Sequence, residues 1–513
     1  MTFRRSLTAT AGALVVLLSL TACLPDFGKP SPSAADTLGP ASDDPVPFEE
    51  SRVYGQQVQW ERCGALDCAT ILVPLDWSKP NGDTIEIAVN RHAAGNQGDR
   101  IGSLLINPGG PGGSGLDLTE YFVSSAGDRL LDSYDVIGFD PRGVGSSTPV
   151  KCGDGAELDA FYIADTVIET EADVEAARQA VADFAQRCLD ISGPVVENVD
   201  TISAARDMDV IRAVVGDSEL HYLGYSYGTQ LGATYAQLYP HNVGRIVLDG
   251  AVDFLLPPEE LSEGQAEGFE DALTEFLQWC VPQEMCLLGD DVEVARAKVA
   301  ELIITARDQG FDTASDAEVN GNLMIYGVVV TLYDEASWPY LQLALNEIIT
   351  LNQATIVYEL ANFYFDRNSV TGEYNGNSTE AFTAIGCLDD GGGESTTLAD
   401  VREFEASSIE LSPTFGWWFA SGLGCDGWPW TAREEITTLD AAATANTMLV
   451  VGTTNDPATP YKWSVSLAER LGAGLLTYQG DGHTAYGRSN QCVIDAVDAY
   501  LVDGVLPDSG LRC

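Results

Sequence analysis

Residues 224–228 read Gly-Tyr-Ser-Tyr-Gly, between an apolar run ending at Leu223 and a helix-like stretch from Thr229 to Tyr239. A serine hydroxyl is a useful nucleophile only when it is held clear of the backbone, beside a base and beside donors for an oxyanion. The G-x-S-x-G pattern supplies that geometry on a sharp strand-to-helix turn, because its glycines let strand and helix pack closely around the serine. In a chain with 51 glycines the pattern alone decides little, so Ser226 needs partners. The stretch 107–115, Asn-Pro-Gly-Gly-Pro-Gly-Gly-Ser-Gly, has five glycines in its last seven residues and leaves backbone N–H groups free of side chains. A flexible turn and a phosphate cradle are competing readings, and no Gly-Lys-Ser or Gly-Lys-Thr follows to support the cradle. Beside Ser226 the loop reads as half of an oxyanion hole, with Gly110 as one donor and the N–H of Tyr227 as the other.

The base must come from four histidines, at 92, 221, 241 and 483. His92 lies before the serine, His221 starts the strand leading into it, and His241 follows Pro240 at a helix end. His483, in Gly480-Asp-Gly-His, follows a late apolar run and is the candidate base. Its orienting acid should follow the preceding strand, where Asp456 stands in Thr454-Asn-Asp-Pro-Ala-Thr-Pro460. Loop aspartates usually cap helices, but Thr459-Pro460 reads as the N-cap and first turn of a helix over 461–471, which frees Asp456. Arg142, in Asp140-Pro-Arg-Gly-Val-Gly-Ser-Ser147, reads as scaffolding that ties neighbouring loops.

These residues need a frame. Positions 84–90 alternate as a strand does, and compact apolar runs occur at 103–106, 134–139, 220–223, 245–248, 448–451 and 475–478. Amphipathic stretches such as 172–189 and 204–215 lie between several of them. Strands alternating with helices indicate an α/β fold with a mostly parallel sheet covered on both faces. Chemistry in such sheets gathers in loops at the carboxyl ends of strands, and each motif above follows a run. The chain order Ser226, Asp456, His483 is the one expected of α/β-hydrolases.

Arg4 and Arg5 precede an apolar stretch at 11–20, shorter than the roughly 20 residues that span a bilayer. Residues 1–22 therefore read as an export signal. Leu20-Thr-Ala-Cys23 resembles a bacterial lipobox, in which Cys23 is lipidated and becomes the new N-terminus; an ordinary secretory cleavage nearby is the alternative. Residues 23–50, rich in Pro, Ser, Ala and Asp, read as a flexible tether. The expected location is the outer face of the cell membrane, anchored by lipid or shed from it. Eleven cysteines less Cys23 leave an even set, which in an exported chain suggests disulfides. Pairing in sequence order is simplest: Cys63 with Cys68, Cys152 with Cys188, Cys280 with Cys286, Cys387 with Cys425, Cys492 with Cys513. There is no C-x-x-C pair and the histidines are scattered, so no metal, and no other cofactor, is expected. Lys and Arg total 26 against 77 Asp and Glu, a net charge of −51. Such a surface repels nucleic acid and anionic lipid heads, so membrane contact should rest on the lipid alone.

Five segments together resemble the exported tripeptidyl aminopeptidases of actinobacteria, serine peptidases related to proline iminopeptidases. They are the glycine loop, Asp140-Pro-Arg-Gly-Val-Gly-Ser-Ser147, the serine elbow, Ala384-Ile-Gly-Cys-Leu-Asp389 and Cys425-Asp-Gly-Trp-Pro429. The resemblance covers roughly residues 55–513, and its last two motifs lie outside the generic hydrolase set. It implies an α/β-hydrolase core over 51–253 and 445–513, a helical cap over 254–444, and release of short peptides from substrates with free N-termini. Such an enzyme needs a carboxylate for the substrate's α-ammonium. Asp389 is the candidate, against the reading of a capping or turn aspartate beside a disulfide. Trp417, Trp418, Trp428 and Trp430 line apolar subsites or, as clustered aromatics more often do, form the cap's core. Asp389-Asp390 followed by three glycines at 391–393 departs from the expected continuation and bears on the cap's substrate contacts. A carboxylesterase or lipase with the same triad, and a non-catalytic surface-binding lipoprotein, are the alternative functions. Ser226 excludes epoxide hydrolase and dehalogenase chemistry, which needs a carboxylate at that position.

Overall fold

The computed structural model describes residues 38, 41, 42, 46–390, 395–440, 444 and 447–513. The export signal, Cys23, most of the tether and the glycines at 391–393 lie outside the described residues.

The strands are β1 Glu61–Cys63, β2 Leu66–Pro74, β3 Thr84–His92, β4 Gly102–Asn107, β5 Tyr134–Phe139, β6 Leu220–Tyr225, β7 Val243–Asp249, the two-residue pair β8 Phe311–Asp312 and β9 Glu318–Val319, then β10 Met448–Asn455 and β11 Gly474–Asp481. Nine of them form one sheet in the order β1-β2-β3-β5-β4-β6-β7-β10-β11. The β1–β2, β2–β3 and β3–β5 neighbours are antiparallel, and from β5 to β11 every neighbour is parallel. This is the α/β-hydrolase sheet, as the motif order led one to expect.

Strands β4, β5 and β6 are buried along their whole length, as parallel strands covered on both faces are. The two-residue period sorts their side chains: Leu105, Ile246 and Val450 face one core, and Leu104, Val247 and Leu449 the other. On the second face lie α1 Gly115–Ser125, α2 Asp128–Ser133 and the last helix, α16 Gln491–Asp503. The first is covered by α3 Gly155–Tyr162, α4 Glu171–Ser192, α5 Thr201–Val214, α6 Tyr227–Leu238 and α15 Tyr461–Leu471.

Between β7 and β10 the chain forms α7 Pro258–Cys280, α8 Val292–Gln309, α9 Gly321–Leu332, α10 Trp338–Leu351, α11 Thr355–Tyr364, α12 Ser378–Asp389, α13 Leu398–Leu411 and α14 Gly416–Phe419. Helices α7 to α11 build a separate core around Leu273, Phe276, Val299, Val328 and Leu345. Helix α12 does not join it. Its apolar stripe, Ala381, Ala384, Ile385 and Leu388, packs into the sheet-side core together with Trp428. The segment expected to be one cap is therefore a helical layer with its own interior plus one helix laid on the hydrolase core.

All ten cysteines beyond Cys23 pair in sequence order. Cys387–Cys425 fastens the end of α12 to the segment carrying Trp428, and Cys152–Cys188 ties the loop after β5 to α4. Arg142 is fully buried, pairs with Asp207 through Nε and Nη2 at 2.7 Å each, and donates to the carbonyls of Pro74, Leu75 and Asn198. It is the scaffold its sequence setting suggested. Nothing local in the sequence marks Asp207, its buried partner.

Candidate active site

Ser226 sits between β6 and α6 with φ 55° and ψ −127°, a sparsely populated conformation that costs a side-chain-bearing residue about 1–3 kcal/mol. Surrounding bonds hold it there. Its N–H donates to the Asp249 carbonyl at 2.9 Å, and its carbonyl accepts from Thr229 N and Oγ1 at 2.8 and 2.6 Å. The flanking glycines are required sterically: a β-carbon on Gly224 would lie 2.4 Å from the Gly228 carbonyl oxygen, and one on Gly228 would lie 2.8 Å from Asn107 Oδ1.

Asp456 follows β10, and His483 follows β11, the adjacent strand. His483 Nδ1 lies 2.9 and 3.1 Å from the two carboxylate oxygens of Asp456. Asp456 is buried, and its Oδ1 also accepts from Ala458 N and Thr459 N and its Oδ2 from Thr484 N. Burial works against its charge, but the His483 imidazole, its hydrogen bond and these backbone donors outweigh burial and hold the carboxyl below its ordinary value. Thr459 does not cap α15, which starts after Pro460 without a side-chain cap. Its hydroxyl instead lies 3.3 Å from His483 Nδ1. Asp456 thus closes the turn before α15 and orients the imidazole at once, because the two jobs use different lone pairs.

Two positioning residues escaped the sequence. The Asp249 carbonyl receives the Ser226 N–H, while its buried carboxylate accepts from Ala485 N at 3.0 Å and Tyr486 N at 2.7 Å, just beyond His483. Burial, partly offset by those donors, pushes this carboxyl up to about 6. An acid ending the strand next to the serine strand was the available signal. Tyr333, at the end of α9, accepts the main-chain N–H of His483 at 2.8 Å and sets its ring edge-on to the imidazole, 5.5 Å between centroids. Nothing local in the sequence marks it. Of the other histidines, His221 Nδ1 accepts the Arg245 N–H at 3.0 Å, and burial beside Arg245 lowers it to about 4, so its role is structural.

The glycine loop lies directly on the serine elbow. Asn107 Oδ1 takes the Gly109 N–H at 2.9 Å, and the Gly109 carbonyl takes the Gly113 N–H at 3.0 Å. Gly109, Gly110 and Gly112 have φ of 91°, 111° and 97°, open to glycine alone. Among the described residues neither the Gly110 N–H nor the Tyr227 N–H has an acceptor. Tyr227 opens α6, where backbone donors have no partner within the helix. A strained serine, a carboxylate-bound imidazole and two unspent N–H groups are the parts that acyl transfer to serine requires.

A family model described as TAP-like protein matches residues 412–513, the segment that contains Asp456 and His483. The chain is 35% identical to serine protease Hip1 of Mycobacterium tuberculosis (strain H37Rv), over 99% of this chain and 98% of that protein. It is 31% identical to tripeptidyl aminopeptidase of Streptomyces coelicolor, over 89% of this chain and 86% of that protein. The chain belongs to the tripeptidyl aminopeptidase family. Carboxylesterase B of M. tuberculosis is a further relative, 35% identical over 94% of this chain and 95% of that protein. As a member of the tripeptidyl aminopeptidase family the protein is a serine hydrolase.

The family motif ending in Asp389 lies on α12. Asp389 accepts from Thr201 N at 2.9 Å and Thr201 Oγ1 at 2.5 Å, and that hydroxyl also meets the Tyr227 hydroxyl. Asp389 is therefore linked through one threonine to the residue that follows Ser226. Burial first, then the charges of Asp200 and Asp390, push its carboxyl up to about 7. Among the described residues no lysine or arginine pairs with Asp389 or Asp390. Trp417 and Trp418 border the cap core, with Trp418 edge-on to Tyr326 and donating to Asn322 Oδ1. Trp428 and Trp430 pack edge to face on the sheet-side core, so the four tryptophans are two separate pairs.

Proposed function

We propose that this protein is a serine exopeptidase that cleaves peptide bonds near free N-termini and releases short peptides. Ser226 is the nucleophile, His483 the general base and acid, Asp456 the residue that orients it, and the N–H groups of Gly110 and Tyr227 the oxyanion donors. The observation that carries the peptidase reading is the carboxylate Asp389, held near the elbow with acidic neighbours and, among the described residues, no cation. A substrate α-ammonium supplies the missing charge.

In the first half-reaction Ser226 Oγ attacks the scissile carbonyl carbon as His483 Nε2 takes its proton. The carbonyl electrons move onto oxygen, where the two N–H groups receive them. Collapse expels the amine, which leaves with the proton from His483, and the acyl group remains on Ser226. Water then attacks this ester while His483 takes its proton, and the second collapse frees the acid and restores Ser226. Asp456, kept ionised, holds the Nδ1–H tautomer and stabilises the imidazolium in both halves.

The test compares a chromogenic amide of a free tripeptide, its N-acetylated form and a short acyl ester. Loss of a desolvated charge pair is worth about 2–5 kcal/mol, so acetylation is expected to lower kcat/KM by at least about 30-fold. Equal cleavage of free and blocked peptide would sink the exopeptidase reading. An esterase of the kind one relative's name indicates would have no use for unpaired carboxylates at Asp389 and Asp390. Ser226→Ala should abolish turnover and labelling by a serine-directed phosphonate. We further propose export and lipid anchoring at Cys23; recovery of Cys23→Ala with the membrane in the same proportion as wild type would contradict it.

A further inference from the structure

Glycine inside a helix is destabilising relative to alanine, so each one needs a reason. In α6, α7 and α9 the reason is packing. A β-carbon on Gly232 would lie 2.7 Å from the Tyr222 ring, one on Gly264 2.6 Å from the Trp463 ring, one on Gly268 2.5 Å from the Pro457 carbonyl oxygen, and one on Gly327 2.7 Å from Val357. Gly386, in the last turn of α12, differs: among the described residues a β-carbon there would meet nothing within 4 Å, and its φ is not in the left-handed region. Neither close packing nor backbone conformation calls for glycine, and the described residues leave the space in front of it open.

That space adjoins the site. The first turn of α12 rests on the glycine loop, since a β-carbon on Gly112 would lie 2.4 Å from the Ser378 carbonyl oxygen and 3.1 Å from Phe382 N. Its last residue, Asp389, reaches Thr201 and through it Tyr227. Phe382, Gly386 and Asp389 follow the i, i+4, i+7 pattern of one helix face, while Ala381, Ala384 and Leu388 are buried on the other. Phe382 is 52% exposed, so the missing side chain at 386 leaves a saddle between a ring and a carboxylate. His483 must protonate the leaving amine, which puts the leaving group on the side of His483 and Tyr333 and the acyl residues on the side of α12. From Phe382 to Asp389 a helix rises about 10 Å. Three extended peptide residues span about the same length.

We propose that the exposed face of α12 is the acyl-side subsite and that Gly386 is the residue that admits the substrate main chain. The acyl segment lies across Gly386, with its scissile carbonyl toward the glycine loop and its α-ammonium at Asp389. This rests on the exopeptidase reading and adds a ruler: the rise of α12 from Phe382 to Asp389 sets the released length at three residues.

The test uses Gly386→Ala and Gly386→Leu in the full chain, with Tm, kcat/KM for a free tripeptide amide and for a short acyl ester, and product masses from unblocked peptides. Wild type should release three-residue products. Gly386→Ala should keep or slightly raise Tm, because its β-carbon enters open space in a helix. For Gly386→Leu the ratio of peptide to ester kcat/KM should fall at least about 10-fold at unchanged Tm, because the side chain fills the saddle. An unchanged ratio in Gly386→Leu, or wild-type products of another uniform length, would overturn the ruler while leaving exopeptidase activity standing. Equal wild-type cleavage of acetylated and free peptides would instead remove the reading on which it rests.

Discussion

Replacing Gly109 by alanine puts one methyl group between the glycine loop and the serine elbow. Its β-carbon would lie 2.4 Å from the Tyr225 carbonyl oxygen, 2.9 Å from Ser226 Cβ and 3.0 Å from Tyr227 N. Real β-carbons essentially never approach closer than 3.0 Å, so loop and elbow must separate by at least about 0.6 Å, with backbone on both sides and no flexible side chain to yield. The φ of 91° adds strain of about 1–2 kcal/mol. The displacement carries the Gly110 N–H away from the place where the oxyanion forms. Losing one such donor lowers kcat by about 10²- to 10³-fold, roughly 2.7–4 kcal/mol. Gly216 has the same φ of 91° but open space at its β-carbon, so Gly216→Ala isolates the strain. Gly109→Ala should lose kcat on both a peptide amide and an activated ester with little change in KM, because the oxyanion exists only beyond the ground state. Gly216→Ala should lose Tm alone. A Gly109→Ala enzyme with kcat within about threefold of wild type would refute the placement of the oxyanion site between these two segments.

Asp456→Asn should lower kcat by about 10⁴-fold, since an amide cannot accept from His483 Nδ1 and three backbone N–H groups together. Because the folded state depresses this carboxyl, its stabilising contribution is present above the ordinary value of 3.8 and fades as pH falls below it; the Tm gap between wild type and Asp456→Asn should close over that range. Asp389, raised to about 7, has the opposite sign: its contribution to stability is full below 3.8 and is lost as pH rises through 7, so Asp389→Asn should gain Tm over wild type in alkaline buffer. Over the same rise in pH the wild-type KM for free tripeptide amides should fall several-fold as the carboxylate forms, and a flat KM would count against the ammonium anchor. Removing the Cys387–Cys425 bridge, with a sequence separation of 38, should cost about 4 kcal/mol in a denaturant titration.

The frame was readable because the glycine loop, Ser226, Asp456 and His483 each follow a short hydrophobic run bounded by turns, as a buried strand does. The helix expected over 461–471 is α15 Tyr461–Leu471, and the run at 134–139 is β5. Strand β2 was missed because its first half, Asp67 to Thr70, is partly exposed and carries no apolar alternation. Ser226, Asp456 and His483 were legible from type, neighbours and order, and the structure brings Asp456 and His483 into contact. Asp249, Tyr333 and the site-facing hydroxyl of Thr459 were not. Their roles exist only across contacts between distant segments, and no local pattern encodes which carbonyl will face which N–H. The packing of α12 was hidden for the same reason: its stripe of alanines is compatible with either core.

The bond from His483 N–H to the Tyr333 carbonyl joins the helical layer to the backbone of the proposed base, and Gly482 beside it has no room for a β-carbon, which would stand 2.6 Å from that same oxygen. A layer fastened there moves with the backbone of the imidazole's own residue. Swinging it away would unseat the imidazole, so an open enzyme and a competent enzyme are different states. Under the exopeptidase reading, admitting a substrate and readying the base would then be one event rather than two.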